Sequence, residues 1–147
     1  MRVFLGLGSN LGEREAHLAM ARSLLELSEE VRVVGESSIL ETQPLGGRDQ
    51  PLYLNQVLDV QTDLRPEELL KTVKRIEKDM GRETAERWES RIIDIDILFY
   101  GDKVVSVPGL EIPHPGVLER SFVLRGVLQL APEWVHPVTG KRLDMSI

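Results

Sequence analysis

The chain has 147 residues, 41% of them apolar, a net charge of −6 and no cysteine. That length and apolar content suit one domain over residues 1–147 with a single sizeable core. No run of 18 apolar residues occurs, which excludes a membrane span, and the acidic balance speaks against a nucleic-acid partner, whose phosphates need a basic face. Without cysteine there are no disulfides, thiolate metal sites or thiol nucleophile. The N-terminal MRVFLGLGSN has neither the length nor the small-residue cleavage site of a secretory signal, so a cytoplasmic protein is expected.

Residues 2–8, RVFLGLG, alternate. Val3, Leu5 and Leu7 share one face, and Phe4, Gly6 and Gly8 the other, a strand with a side that another group can approach closely. SNLG turns the chain, and residues 13–28 have helical spacing at Leu18, Ala21, Leu24 and Leu25. A strand is expected over 32–40, then a loop, TQPLGGRDQP, whose Pro and Gly stop regular structure. Residues 52–62 read as another strand, with Leu52, Leu54, Leu58 and Val60 towards a core and Tyr53, Asn55 and Asp59 opposite. Pro66 opens the next helix, Glu67 and Glu68 sit at its positive end, and Gly81 closes it. Leu69, Val73, Ile76 and Met80 form its buried stripe.

From residue 65 to residue 91 eight basic side chains face seven acidic ones, a local +1 in an acidic protein. Arg82, Arg87 and Arg91 crowd in just before RIIDIDILFYG. That stretch reads as a strand with Ile93, Ile95, Ile97 and Phe99 on one face and Asp94 and Asp96 on the other, beside Ile92 and Leu98. Two carboxylates about 6–7 Å apart repel by roughly 2–3 kcal/mol at an effective dielectric near 20, and Asp is a poor strand former. A short strand over 103–106, a PHP turn and a last helix over 122–130 complete the chain.

Strand–helix–strand–strand–helix–strand is the split βαβ order of an α+β, ferredoxin-like βαββαβ sheet. The first strand then lies between the third and fourth, two long helices cover one face, and an extra helical segment follows at the C-terminus. The uncovered face brings together Asp94 and Asp96, Gly6 and Gly8, and Tyr53 and Asn55.

The chemistry of those types is specific. Paired carboxylates suit a hard divalent cation such as Mg²⁺, which uses one or two of them together with water and phosphate oxygens. Arginines just upstream suit a transferring phosphoryl group. Tyr53 and Asn55 offer a ring and a donor–acceptor amide to a flat heterocycle. GLGSNLG lacks both dinucleotide and P-loop spacing. His114 is either a ligand contact or a turn histidine capping local backbone, Trp88 either anchors its loop or covers a substrate, and His17 and His136 read as structural or exposed.

Together GSNLG, ETQPLGGRDQPLYLNQV, RIEKDMGR, RWESRIIDIDILFYG, IPHPGVLERSFVL and LAPE, in this order, resemble the 6-hydroxymethyl-7,8-dihydropterin pyrophosphokinase family. The resemblance implies a folate-pathway enzyme that moves the β,γ-diphosphate of ATP onto the pterin's hydroxymethyl oxygen and releases AMP, with two Mg²⁺ ions between phosphates and aspartates. Asp94 and Asp96 match the Mg²⁺ ligands, and Tyr53 and Phe122 match the two slices of a pterin sandwich. Asn55, with backbone of Thr42, Pro44 and Leu45, matches the reader of the pterin edge, and Trp88 a loop residue that closes over the site. Leu70, Glu77, Arg87, Ile97, His114 and Arg120 match the ATP side, and Arg82 and Arg91 the arginines on the transferring phosphates. A monomer acting on small-molecule substrates, without a nucleic-acid or membrane partner, is expected.

The chain departs from the family pattern at three places. Glu89-Ser90 stands where Gly-Pro is usual, Thr84 where a second arginine is common, and Lys74 where a glutamine contacts ATP. The rival readings are a non-catalytic ferredoxin-like small-molecule or RNA-binding module and a Mg²⁺-dependent nuclease. The first lacks the paired aromatics and basic face of an RNA-recognition sheet, and the second has no use for a heterocycle slot.

Overall fold

The computed structural model of the protein describes residues 1–42, 52–81 and 92–146. In chain order the elements are β1 (Arg2–Ser9), α1 (Arg14–Leu27), β2 (Val31–Glu36), β3 (Leu40–Thr42), β4 (Tyr53–Thr62), α2 (Pro66–Met80) and β5 (Asp94–Tyr100). There follow β6 (Val105–Val107), β7 (Leu110–Ile112), α3 (Ser121–Leu130) and a short 3-10 turn, Leu143–Ser146. Pro66 sits in the first turn of α2, whose start is fastened by the Arg65 N–H donating to Glu68 Oε1 at 2.9 Å.

The main sheet runs β2–β4–β1–β5, with β3 paired to the start of β4, and its pairings are antiparallel. β1 therefore lies between β4 and β5. Gly8 is opposite Asn55 on one side and Asp94 on the other, and Gly6 is opposite Val57 and Asp96. α1 and α2 cover one face, burying Leu18, Ala21, Leu25, Leu69, Val73 and Ile76 against Val3, Leu5, Leu58, Val60, Ile95 and Ile97. Each such fully buried aliphatic contributes roughly 1.5–3 kcal/mol.

The opposite face is divided. Phe4, Val57, Leu98 and Phe99 are covered by Val123, Leu124 and Val127 of α3 and by Leu143. Trp134 meets Phe4 and Phe99 edge to face, with centroids 4.9 and 5.8 Å apart. The other half, with Gly6, Gly8, Asp94 and Asp96, is not roofed by this second core.

Four details correct the sequence reading. Phe99 joins Phe4 rather than Ile97, because the β1–β5 register shifts between Phe4 and Leu5, whose partners are Phe99 and Ile97. The extra residue, Leu98, is a bulge that reverses the alternation beyond it. The strand expected over 32–40 is two strands. The Ser37 N–H still donates to the Val57 C=O at 2.8 Å. Ser37 Oγ, however, accepts the Val57 N–H at 2.8 Å and the Ser38 N–H donates to Gln129 Oε1 at 2.9 Å, so side chains take over from the ladder between them. The short strand expected over 103–106 is β6, shifted to Val105–Val107 and paired with β7 in a hairpin. Leu52 is only half-buried and precedes β4. Among the described residues, no helix is long and apolar enough to cross a membrane.

Candidate active site

A cavity of about 620 Å³ opens on the unroofed half of the sheet. Gly6 and Gly8 make its floor; Thr42, Tyr53 and Asn55 form one flank, Asp94, Asp96 and His114 the other, and Arg120 and Phe122 reach in from the start of α3. Space favours glycine at both positions. A Cβ on Gly8 would stand 3.2 Å from Asn55 Oδ1, and one on Gly6 3.2 Å from a Leu98 methyl.

Tyr53 is half-buried with its ring over this floor. Burial, and then the Asp94 carboxylate, push its phenol above the usual 10, while Arg120 opposes them. The phenol is therefore neutral at pH 7, and Asp94 and Arg120 both lie close enough to act on it. On the same flank, Asn55 Nδ2 donates to Thr42 Oγ1 at 2.6 Å.

His114 caps a local turn and also lines the cavity. Its Nδ1 accepts the Gly116 N–H at 3.1 Å, and its Nε2 lies 3.9 Å from Asp96 Oδ2. Both aspartates point into the cavity because β5 alternates, and the strand is braced from behind. Glu77 Oε2 accepts the N–H of Ile95, the residue between them, at 2.7 Å, and Glu77 Oε1 pairs with Lys74 Nζ at 3.2 Å. A rigid strand holds ligating groups more tightly than a loop does.

Eight of the expected residues thus meet around one cavity: Thr42, Tyr53, Asn55, Asp94, Asp96, His114, Arg120 and Phe122. Leu70, Glu77 and Ile97 do not line it. Leu70 packs at the margin of the main core, Glu77 is turned to Ile95, and the Ile97 side chain is 5% exposed among the helices. Pro44, Leu45, Arg82, Arg87, Trp88 and Arg91 lie outside the described residues. The cavity also takes in Arg125, Gly126 and Gln129, which the sequence reading missed. Counted from Phe122 they are i+3, i+4 and i+7, so the helical period was the signal that could have found them.

The donor set at the acidic end is two carboxylates with a histidine nearby. Among the described residues no group of three or more His, Asp or Glu side chains forms a closed metal cage. Two open carboxylates fit Mg²⁺ that completes its shell with water and phosphate oxygens, rather than a structural ion.

A model of the 7,8-dihydro-6-hydroxymethylpterin-pyrophosphokinase family matches residues 4–132. The chain is 39% identical over 141 residues to the 2-amino-4-hydroxy-6-hydroxymethyldihydropteridine pyrophosphokinase of Aquifex aeolicus, covering 96% of this chain and 87% of that one. It is 44% identical over 138 residues to the folic acid synthesis protein fol1 of Pneumocystis carinii, covering 94% of this chain but spanning only 18% of that longer protein. In fold it is similar to the HPPK-DHPS of Plasmodium falciparum solved with pterin and p-hydroxybenzoate, with a TM-score of 0.76 at 17% identity, over 99% of this chain and 42% of that one.

Proposed function

We propose, from the premise that the chain belongs to the 7,8-dihydro-6-hydroxymethylpterin-pyrophosphokinase family, that it transfers the β,γ-diphosphate of ATP to the hydroxymethyl oxygen of 6-hydroxymethyl-7,8-dihydropterin and releases AMP. The observation that carries the reading is one cavity with an aromatic–amide slot at one end and a carboxylate pair at the other. A flat pterin fits between Tyr53 and Phe122, with its hydrogen-bonding edge at Asn55 and the Thr42 backbone and its hydroxymethyl arm towards Asp94 and Asp96. Pro44 and Leu45 are assigned to the same edge, and Trp88 to a cover over it, by the resemblance alone.

The hydroxyl oxygen attacks the β-phosphorus. A new O–P bond forms there as the hydroxyl gives up its proton to solvent and the bond from the β-phosphorus to the α,β-bridging oxygen breaks, and AMP departs with that oxygen. Asp94 and Asp96 would hold two Mg²⁺ ions against the phosphates, which supplies charge neutralisation and alignment. His114 and Arg120, which line that end of the cavity, are assigned to the phosphate oxygens. Arg82 and Arg91, with Arg87 beside them in sequence, are assigned to the transferring group.

The nucleoside has a place consistent with Leu70, Glu77 and Ile97. β5 is the edge of the described sheet, and its Ile95 N–H points outward to Glu77. Two residues on, Ile97 presents its own N–H and C=O to the same edge while its side chain stays in the core. A backbone donor–acceptor pair on an open edge suits the rim of an adenine ring.

β1 lying between β4 and β5, with α1 and α2 on one face, supports a ferredoxin-like reading of the sheet as a single domain. A monomer supplies each of the named residues. The test is incubation with ATP, Mg²⁺ and the hydroxymethyl pterin. AMP should form only when all three are present. Binding of both ligands without AMP would favour a non-catalytic module.

A further inference from the structure

β3 has three residues, and its pairing in the sheet is with β4, opposite the slot: Leu40 faces Asn55 and Thr42 faces Tyr53. That register places Thr42 Oγ1 2.6 Å from Asn55 Nδ2. On the far side of Asn55 lies Gly8, and Asn55 Oδ1 stands 3.2 Å from the point a Gly8 Cβ would occupy. The amide nitrogen is thus tied to β3, and its oxygen lies over the glycine of β1, where a side chain would crowd it.

An asparagine reads a ligand in two opposite ways, as acceptor or as donor, according to the flip of its amide. We infer that the Thr42 side chain is a positioning residue: its hydroxyl, hydrogen-bonded to Nδ2, holds the Asn55 side chain at the slot with its carbonyl presented as an acceptor. The slot then selects heterocycle edges that carry N–H donors, such as the adjacent ring N–H and exocyclic amine of a pyrimidinone. This rests on the pterin reading of the slot and assigns to the Thr42 hydroxyl a role separate from its backbone. Threonine and valine have nearly the same shape, so the hydroxyl can be removed with little change in packing.

The experiment compares wild type with Thr42→Val and Thr42→Ser by pterin titration and steady-state kinetics. Thr42→Val should raise the pterin Kd and KM about tenfold, the upper end of what one net hydrogen bond carries, with kcat changed less than twofold. Thr42→Ser, which keeps the hydroxyl, should return both to within about twofold of wild type. In ligand-free protein, the ¹⁵N-edited side-chain amide signal of Asn55 should shift in Thr42→Val and not in Thr42→Ser. A Thr42→Val protein with wild-type pterin affinity, an unmoved Asn55 signal, or a serine variant as weak as the valine one overturns the inference. A wild-type protein that fails to bind the pterin at all overturns the functional reading beneath it, while the Asn55 signal still reports on the hydroxyl.

Discussion

The His114 ring is shared between a turn and the acidic end of the cavity, its Nδ1 accepting the Gly116 N–H at 3.1 Å while its Nε2 stands 3.9 Å from Asp96 Oδ2. Acceptance at Nδ1 requires the neutral ring with its hydrogen on Nε2, so the turn sets the tautomer and aims an N–H at Asp96 and whatever it binds. His114→Ala should lower kcat/KM for ATP by about 1–2 kcal/mol and reduce stability by about 1 kcal/mol, since the Gly116 N–H loses its partner. His114→Asn, with an oxygen able to accept that N–H, should recover the stability and not the kinetics. Steady-state assays beside thermal unfolding check both halves.

Asp94 and Asp96 are each expected to be indispensable to turnover and dispensable to the fold. Both lie on the cavity face, and the Asp96 side chain is 43% exposed, so replacement opens no core void. Asp96→Asn should cost kcat at least what losing one preorganised electrostatic group costs, about 10²–10³-fold. Its unfolding free energy should stay within about 0.5 kcal/mol of wild type. Near-normal activity with Mg²⁺ would remove Asp96 from the metal assignment.

Gly126 is the point at which α3 rests on β4. A Cβ there would intrude on Val57 Cγ2 and lie 3.0 Å from Val57 Cβ, and a β-branched side chain has little freedom to move aside. Alanine gains about 1 kcal/mol in helix propensity, but overpacking costs about 1–3 kcal/mol. Gly126→Ala should therefore lose up to about 2 kcal/mol in urea unfolding. Because α3 carries Phe122, pterin KM should rise with it. A stabilised variant with unchanged KM would show that α3 can shift freely.

His136 gives the fold a pH dependence. It is buried, its Nδ1 accepts the Val138 N–H at 3.1 Å, and burial lowers its pKa from the ordinary 6.5. The unfolded chain then takes up a proton at a higher pH than the folded one. The stability this contributes is present above about pH 6.5 and is lost as pH falls through that value towards the lower folded pKa. The unfolding midpoint should drop between pH 7 and 5, and His136→Asn should show a shallower slope. Parallel slopes in melts at matched pH would exclude His136 as the cause.

Much of the scaffold was legible because it depends on local period. The alternation of residues 2–8 and 94–97 and the stripe Leu69, Val73, Ile76 each declare a face without reference to a partner. Phe99 was misplaced because a bulge is a property of two strands, and nothing between Leu98 and Phe99 announces it. The break at Ser37 and Ser38 depends on Val57 and on Gln129, 91 residues away. In the site, side chains alternating onto one strand face were readable: Tyr53 with Asn55, Asp94 with Asp96. Leu70, Glu77 and Ile97 lie on the helix side, away from the cavity, where no local period sets them apart from the rest of the core and helix.

The central claim is a diphosphate transfer, which cleaves ATP between its α- and β-phosphorus. ATP labelled at the β-phosphorus, incubated with Mg²⁺ and the hydroxymethyl pterin, tests it most directly. The label should appear in the pterin product in step with unlabelled AMP, and not without the pterin. Label retained in ADP, or released as inorganic phosphate regardless of the pterin, would contradict the account.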